Sequence, residues 1–249
     1  MIRMTETVKH LLIINVLMFI GTMAIGNGEL FYRWFSLYFP KNELFQPWQV
    51  ITHMFMHGGI NHILFNMLAL WMFGTAIEQV FGKKKFIFFY ISAGLGAALL
   101  QLGYYYMTYL PIESDLIASG LTQTEVIQML TTNETIGSIT DTQMVQLQEI
   151  FPTFNAMMVG ASGAIMGVLV AFGMLFPNSK LMLIFLPIPI KAKYFIPGII
   201  ALDLFSALTG VSIFSPSNTA YVAHIGGALT GFLMMYFWKK DQFDKYRWN

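Results

Sequence analysis

The chain has 249 residues, of which 56% are apolar and only 11% charged, against roughly 25% charged residues in globular domains. That composition excludes a water-soluble domain of this length, and a formal net charge of +1 excludes the basic stripe of a nucleic-acid binder. The absence of cysteine removes disulfides, thiolate zinc sites and cysteine nucleophiles, leaving serine, histidine, asparagine and carboxylates for any chemistry.

Six apolar stretches predict membrane spans at residues 10–26, 60–81, 86–109, 154–176, 194–211 and 219–238. At 1.5 Å per residue each can cross a hydrocarbon core of roughly 30 Å. Residues 1–26 carry Arg3 and Lys9 ahead of an apolar run and a small Ala24, as a secretory signal would. Five further spans follow, so this segment is expected to stay as the first helix. The apolar run 181–190 holds Pro187 and Pro189 and reads as a buried or interfacial connector.

Of the 14 Lys and Arg residues, all but Arg33 and Lys41 fall before span one, between spans two and three, between four and five, or after six. The chain therefore reads as an all-α polytopic membrane bundle, a single domain over 1–249, with both termini cytoplasmic. The outer side carries two large pieces. Residues 27–59, with Trp34 and Trp48, suit a first loop lying in the membrane interface. Residues 110–153 form an acidic extracytoplasmic insertion with Glu113, Asp115, Glu125, Glu134, Asp141 and Glu149 and no Lys or Arg. Within it Asp141 is expected to cap a helix whose Met144, Leu147 and Phe151 recur at helical spacing.

Polar residues inside spans are costly in lipid and point to function. His62 and Asn66 are four apart, on one face of the second span. Ser162 lies in Gly160-Ala161-Ser162-Gly163 near the start of the fourth span, and His224 lies in the sixth. These three helices all enter from the outer face, which puts the four residues at similar depth, roughly 3–12 Å below it. Such a set can perform acyl transfer. A serine hydroxyl needs a base, and histidine is the side chain that ordinarily titrates near neutrality, which makes His224 the candidate. His62, the Asn66 amide and the Ser162 backbone N–H are candidate donors to an oxyanion. Gly163 and Gly167 on one helix, and Gly227 and Gly231 on the other, would let the serine and histidine helices approach closely. Gly21, in the first span, lies away from this set and is expected to tolerate a larger side chain.

The strings His53-Met-Phe-Met-His57, Asn61-His62-Ile-Leu-Phe-Asn66, Gly160-Ala-Ser162-Gly163 and Ala223-His224-Ile-Gly-Gly227-Ala-Leu-Thr-Gly231, in this order, together resemble the rhomboid intramembrane serine proteases. The likeness runs from about Trp48 to Trp238, apart from 110–153. It implies a bundle of six transmembrane helices in a bacterial inner membrane, and cleavage of single-pass or polytopic membrane protein substrates within or near the lipid bilayer. It also implies no metal or organic cofactor. Carried over by position, Ser162 is the nucleophile, His224 the general base, and His62 with Asn66 the oxyanion donors, with no aspartate completing a triad. By the same analogy the fifth helix and the loop 212–218 gate substrate entry.

The sequence departs from that pattern where Gln49, in place of a common arginine, follows Trp48, which should weaken the anchoring of the first loop. It departs again where Met166 replaces a common aromatic residue, and in the length of 110–153. Read singly, each string has a plainer meaning. Glycine and serine recur wherever membrane helices cross, and His62 with Asn66 makes an ordinary hydrogen-bonding pair. His53 and His57 read as structural hydrogen-bonding groups in the first loop, since no HExxH motif accompanies them. Asp203 in the fifth span reads as a buried structural carboxyl, and Glu78 as a loop anchor near Lys83–Lys85. A catalytically silent relative that binds or escorts membrane proteins would not need both Ser162 and His224. A transporter would spread its polar residues through the membrane and show a repeat between halves.

Overall fold

The computed structural model describes residues 3–183, 186–212 and 220–245. Helix α1 (Glu6–Ala24) opens the bundle, and its first turn is held from across the fold. The Glu78 carboxylate accepts the Thr7 and Val8 amides at 3.1 and 3.0 Å and the Thr5 hydroxyl. These are donors that a helix start leaves without intrahelical partners, and a carboxylate suits the positive end of the helix. Glu78 is thus a clamp on α1 and not a loop anchor beside the lysines; Lys83 pairs with Glu6 instead.

The first loop contains α2 (Glu29–Phe35), the short strand β1 (Leu37–Tyr38) and α3 (Gln49–Thr52). Gln49 is fully buried, and it corrects the expectation of a weakly anchored loop. Its amide donates to the Arg33 and Leu44 carbonyls at 3.0 and 2.9 Å, and its oxygen accepts the Gln46 and Tyr38 amides at 3.1 and 3.4 Å. A neutral amide, with donors and an acceptor together, ties three strands of the loop where a cation would only donate. The Trp48 indole donates to the Trp34 carbonyl at 2.8 Å, and the two exposed indoles stack.

Next come α4 (Ile60–Ala69), a wider turn over Leu70–Gly74, and α5 (Thr75–Phe81), which together make the second apolar stretch. Helix α6 (Lys83–Ala118) has 36 residues and a length of about 54 Å. The expected end at Tyr109 is too early, because the helix continues through Pro111 and projects beyond any 30 Å hydrocarbon layer.

That projection founds a second core. Helices α7 (Gln123–Thr132) and α8 (Asp141–Phe154) fold back on it. Leu116, Val126, Met129, Leu130, Leu147 and Ile150 then pack with Tyr109, Phe154 and Phe39 of the first loop. Both helices begin with a capping box, Thr122 with Glu125 and Thr140 with Gln143. The cap of α8 is therefore Thr140, and Asp141 is its first helical residue, because a threonine hydroxyl three residues before a glutamine satisfies two amides reciprocally. The buried face of α8 is Gln143, Leu147, Ile150 and Phe154, one step around from the Met144–Leu147–Phe151 stripe read from the sequence. Lys41 pairs with Glu113, and the Asn42 amide donates to the Phe154 carbonyl at 3.0 Å, so the insertion and first loop brace each other.

Strand β2 (Met157–Met158) pairs antiparallel with β1, Leu37 opposite Met158 and Tyr38 opposite Met157. Helix α9 (Ser162–Leu175) follows, so the fourth apolar stretch is not one span: Phe154 ends α8, Met157–Met158 form β2, and the stretch re-enters a helix only at Ser162. Residues Gly163 through Ala171 are all buried, as expected of a helix apolar all round. The connector at 181–190 is an antiparallel hairpin of β3 (Lys180–Leu183) and β4 (Leu186–Lys191). Helices α10 (Ala192–Thr209) and α11 (Tyr221–Lys245) complete the order. From residue 213 onward the expected gating loop lies outside the described residues.

Among the described residues, Glu6–Ala24, Ile60–Phe81, Lys83–Ala118 and Ala192–Thr209 are long and apolar enough to cross a membrane, while Ser162–Leu175 is a shorter apolar helix. Helices α6, α9 and α11 pack directly on one another, with α9 the most buried. A Cβ built on Gly227 would lie 1.8 Å from the Gly163 carbonyl oxygen, and one on Gly231 would lie 2.6 Å from the Gly167 Cα. Added methyls on Gly163 and Gly167 would meet Ala97 and Ala93 of α6 at 2.5 and 2.6 Å. The four glycines let three helix backbones touch. Gly21 is no free position: its Cβ would lie 2.5 Å from the Phe31 ring.

Candidate active site

Ser162 is the first residue of α9, where the leading amides have no intrahelical acceptors and the helix dipole is positive. The turn that delivers it depends on Gly160, whose φ is +128°, a conformation that L side chains rarely adopt. The Gly160 amide donates to the His53 carbonyl at 2.9 Å, which fastens the turn to the first loop. A Cβ on Gly160 would sit 2.8 Å from His62 Nε2 and 3.5 Å from Ser162 Oγ. The glycine therefore leaves open the space between those two groups.

Across the glycine seam, Ser162 Oγ lies 2.8 Å from His224 Nε2. The other ring nitrogen, Nδ1, lies 2.9 Å from Asp203 Oδ2 on α10. Serine, histidine and aspartate from α9, α11 and α10 thus form one hydrogen-bonded chain. The expectation that no aspartate joins the pair is corrected; Asp203 is buried, as expected, and its carboxyl faces the His224 ring. The signal was present in the sequence, since an ionisable side chain within a span is a functional candidate by default.

The third and fourth expected residues border the same cleft, of about 1550 Å³, with Ser162 and His224. The Gly58 amide donates to His62 Nδ1 at 3.3 Å, so the neutral ring carries its proton on Nε2, the nitrogen beside Gly160. His62 is in the donor form on the side facing the serine. The Asn66 amide donates to the His62 carbonyl at 3.0 Å, one turn back on its own helix. Among the described residues no three His, Asp or Glu side chains gather as a metal site.

Residues 44–240 match the Rhomboid domain family. The chain belongs to the rhomboid family. Rhomboid protease AarA of Providencia stuartii is 30% identical over 197 residues, covering 75% of this chain and 54% of that protein. Mitochondrial rhomboid protein 1 of Saccharomyces cerevisiae is 26% identical over 226 residues, 91% of this chain and 51% of that protein. Rhomboid protease GluP of Bacillus subtilis is 40% identical over 52 residues, 21% and 10%. The chain spans about half, or less, of the length of these relatives. Family and apolar helices together make this rhomboid a multi-pass membrane protein.

Two further histidines of this rhomboid lie behind the site in the first loop. His53 Nδ1 is 2.8 Å from the Gln49 carbonyl oxygen, the structural hydrogen bond expected of it. His57 behaves differently. Among the described residues neither of its buried ring nitrogens has a hydrogen-bond partner, and its ring packs edge-on against His62 with centroids 4.9 Å apart. Burial pushes His53 down to about 4 and His57 down to about 3, so both are neutral near pH 7 and His62 has no cation beside it from this side. Met166, in place of an aromatic residue, is buried and borders the cleft.

Proposed function

We propose that this rhomboid is an intramembrane serine endopeptidase, with Ser162 as nucleophile and His224 as general base. The observation that carries the reading is the 2.8 Å contact between Ser162 Oγ and His224 Nε2, a separation at which a hydroxyl proton can pass to the ring as Oγ attacks a carbonyl carbon. The tetrahedral oxyanion would form next to Gly160, within reach of His62 Nε2–H, the Ser162 amide and the Asn66 side chain. Substrates are single-pass or polytopic membrane proteins, whose segments enter the cleft from the bilayer. Names of relatives support the class: AarA and GluP are called rhomboid proteases.

The reading extends to six crossings and a bacterial inner membrane, with the first loop in the interface and the insertion outside. Three contacts support a common cytoplasmic end for the termini: Lys83 with Glu6, Lys85 over the Trp238 ring at 4.0 Å, and Phe81 against Trp238. They gather the start of α1, the α5–α6 turn and the far part of α11, where the basic residues cluster.

Cleavage of a membrane-anchored substrate by the detergent-solubilised protein, with fluorophosphonate labelling alongside, tests the reaction. Ser162→Ala and His224→Ala should each abolish turnover and labelling, and the double variant should be no worse, because the two act as a unit. Normal turnover by Ser162→Ala would end the proposal.

A further inference from the structure

We propose that Asp203 is the positioning residue of this site, fixing His224 in the tautomer that can accept the Ser162 proton. The inference rests on the serine-protease reading above and deepens it. Asp203 is 6% exposed within an apolar helix, a place where an ionisable group is costly. Among the described residues it pairs with no Lys or Arg, and its hydrogen bond is to the imidazole, not to its own helix. Its position is explained neither by a helix cap nor by a structural ion pair.

The ring geometry says what it does. A neutral imidazole has one N–H and one lone pair, and both nitrogens here are engaged, at 2.9 Å to Asp203 and 2.8 Å to Ser162. A hydroxyl can donate or accept, so Ser162 leaves the tautomer open. An ionised carboxylate can only accept, so Asp203 places the proton on Nδ1 and leaves the Nε2 lone pair facing the serine. In the opposite tautomer Nε2–H would donate to Oγ and have no room for its proton.

The acylation half of the reaction then balances, and water attacking the resulting ester, with Nε2 again taking the proton, completes it. As Oγ bonds to the scissile carbonyl carbon, the carbonyl electron pair moves to oxygen and the hydroxyl proton moves to Nε2. The resulting imidazolium faces the Asp203 carboxylate, which accepts its Nδ1–H. When the C–N bond breaks, Nε2 returns the proton to the leaving nitrogen.

The full chain in proteoliposomes, with a membrane-anchored substrate, tests this through Asp203→Asn. Asparagine keeps the shape and can donate to Nδ1, which favours the wrong tautomer. Its kcat should fall by on the order of a hundredfold to ten-thousandfold with KM within about twofold. An unchanged kcat, or a loss confined to KM, overturns the proposal.

A second measurement does not depend on the variant folding. In wild-type protein carrying ¹⁵N-histidine, with His224→Ala supplying the assignment, His224 should show a protonated Nδ1 and a bare Nε2, and the reverse pattern overturns the proposal. Ser162→Ala in the same assay separates the two readings: full cleavage by that variant would sink the protease function, while the tautomer would still decide the part played by Asp203.

Discussion

Histidine is the residue type whose surroundings vary most across this site, and each environment has a separate consequence. His53 and His57 are buried and stay neutral down to about pH 4 and about pH 3, while an unfolded histidine titrates near 6.5. Between those values the unfolded chain binds more protons than the folded one. Their contribution to stability is therefore complete above about pH 6.5 and falls as acid is added toward the folded values. Thermal unfolding at pH 7 and at pH 5 should differ by on the order of 1 kcal/mol per pH unit for each histidine. His57→Phe keeps the edge-on ring against His62 and removes two unpartnered nitrogens, so it should abolish that residue's share of the acid sensitivity. Equal acid sensitivity in the variant would assign the effect elsewhere. At this scale Ser162, His224 and His62 were legible because spacing and span order put them at one depth. Asp203 was legible only as an ionisable side chain within a span; its contact with the histidine appears only when α10 is laid against α11.

At the scale of elements, the contact between α9 and α11 decides whether the serine and histidine meet. Gly227→Val would drive a side chain into the Gly163 carbonyl, 1.8 Å from the first added carbon. A displacement of about 1 Å between reacting groups costs roughly a hundredfold, so most activity should be lost while Ser162 and His224 remain chemically intact. The matching control is Gly103→Val on α6, where nothing lies within 4 Å of the added Cβ; Gly21 would be a poor one, since it packs on Phe31. Similar losses in turnover for Gly227→Val and Gly103→Val would make the glycine one of general bundle packing. Helix ends were harder to read than helix contacts. Pro111 and two nearby carboxylates look like a stop, but α6 runs on because α7 and α8 give its projecting turns an apolar face to bury. The fourth stretch looks like a long span because composition does not register that Gly160 breaks the chain direction ahead of Ser162.

For the whole molecule, the proposed topology places Gln128 on the face of the cleft mouth and Lys84 on the opposite one. Cysteines introduced there meet a background free of native thiols. An impermeant thiol reagent added to intact cells should label Gln128→Cys and spare Lys84→Cys; labelling of the second would invert the molecule. The membrane-spanning, helical character of the chain was legible, because bilayer thickness and lipid polarity act on composition directly, and the family was legible in its ordered motifs. The second core over α6, α7 and α8 was not, because its acidic residues hide a helical hairpin whose apolar positions pair only in three dimensions. The seam between α9 and α11 has one more implication, for how such a protein can change over evolutionary time. Its crossing points are backbone against backbone at Gly163, Gly167, Gly227 and Gly231, with no rotamers to repack and no side-chain volume to trim. Single substitutions there act as an on–off choice, not a dial. Gradual adjustment must come from positions that do carry adjustable side chains, while the 2.8 Å serine–histidine separation rests on these glycines and changes only in steps.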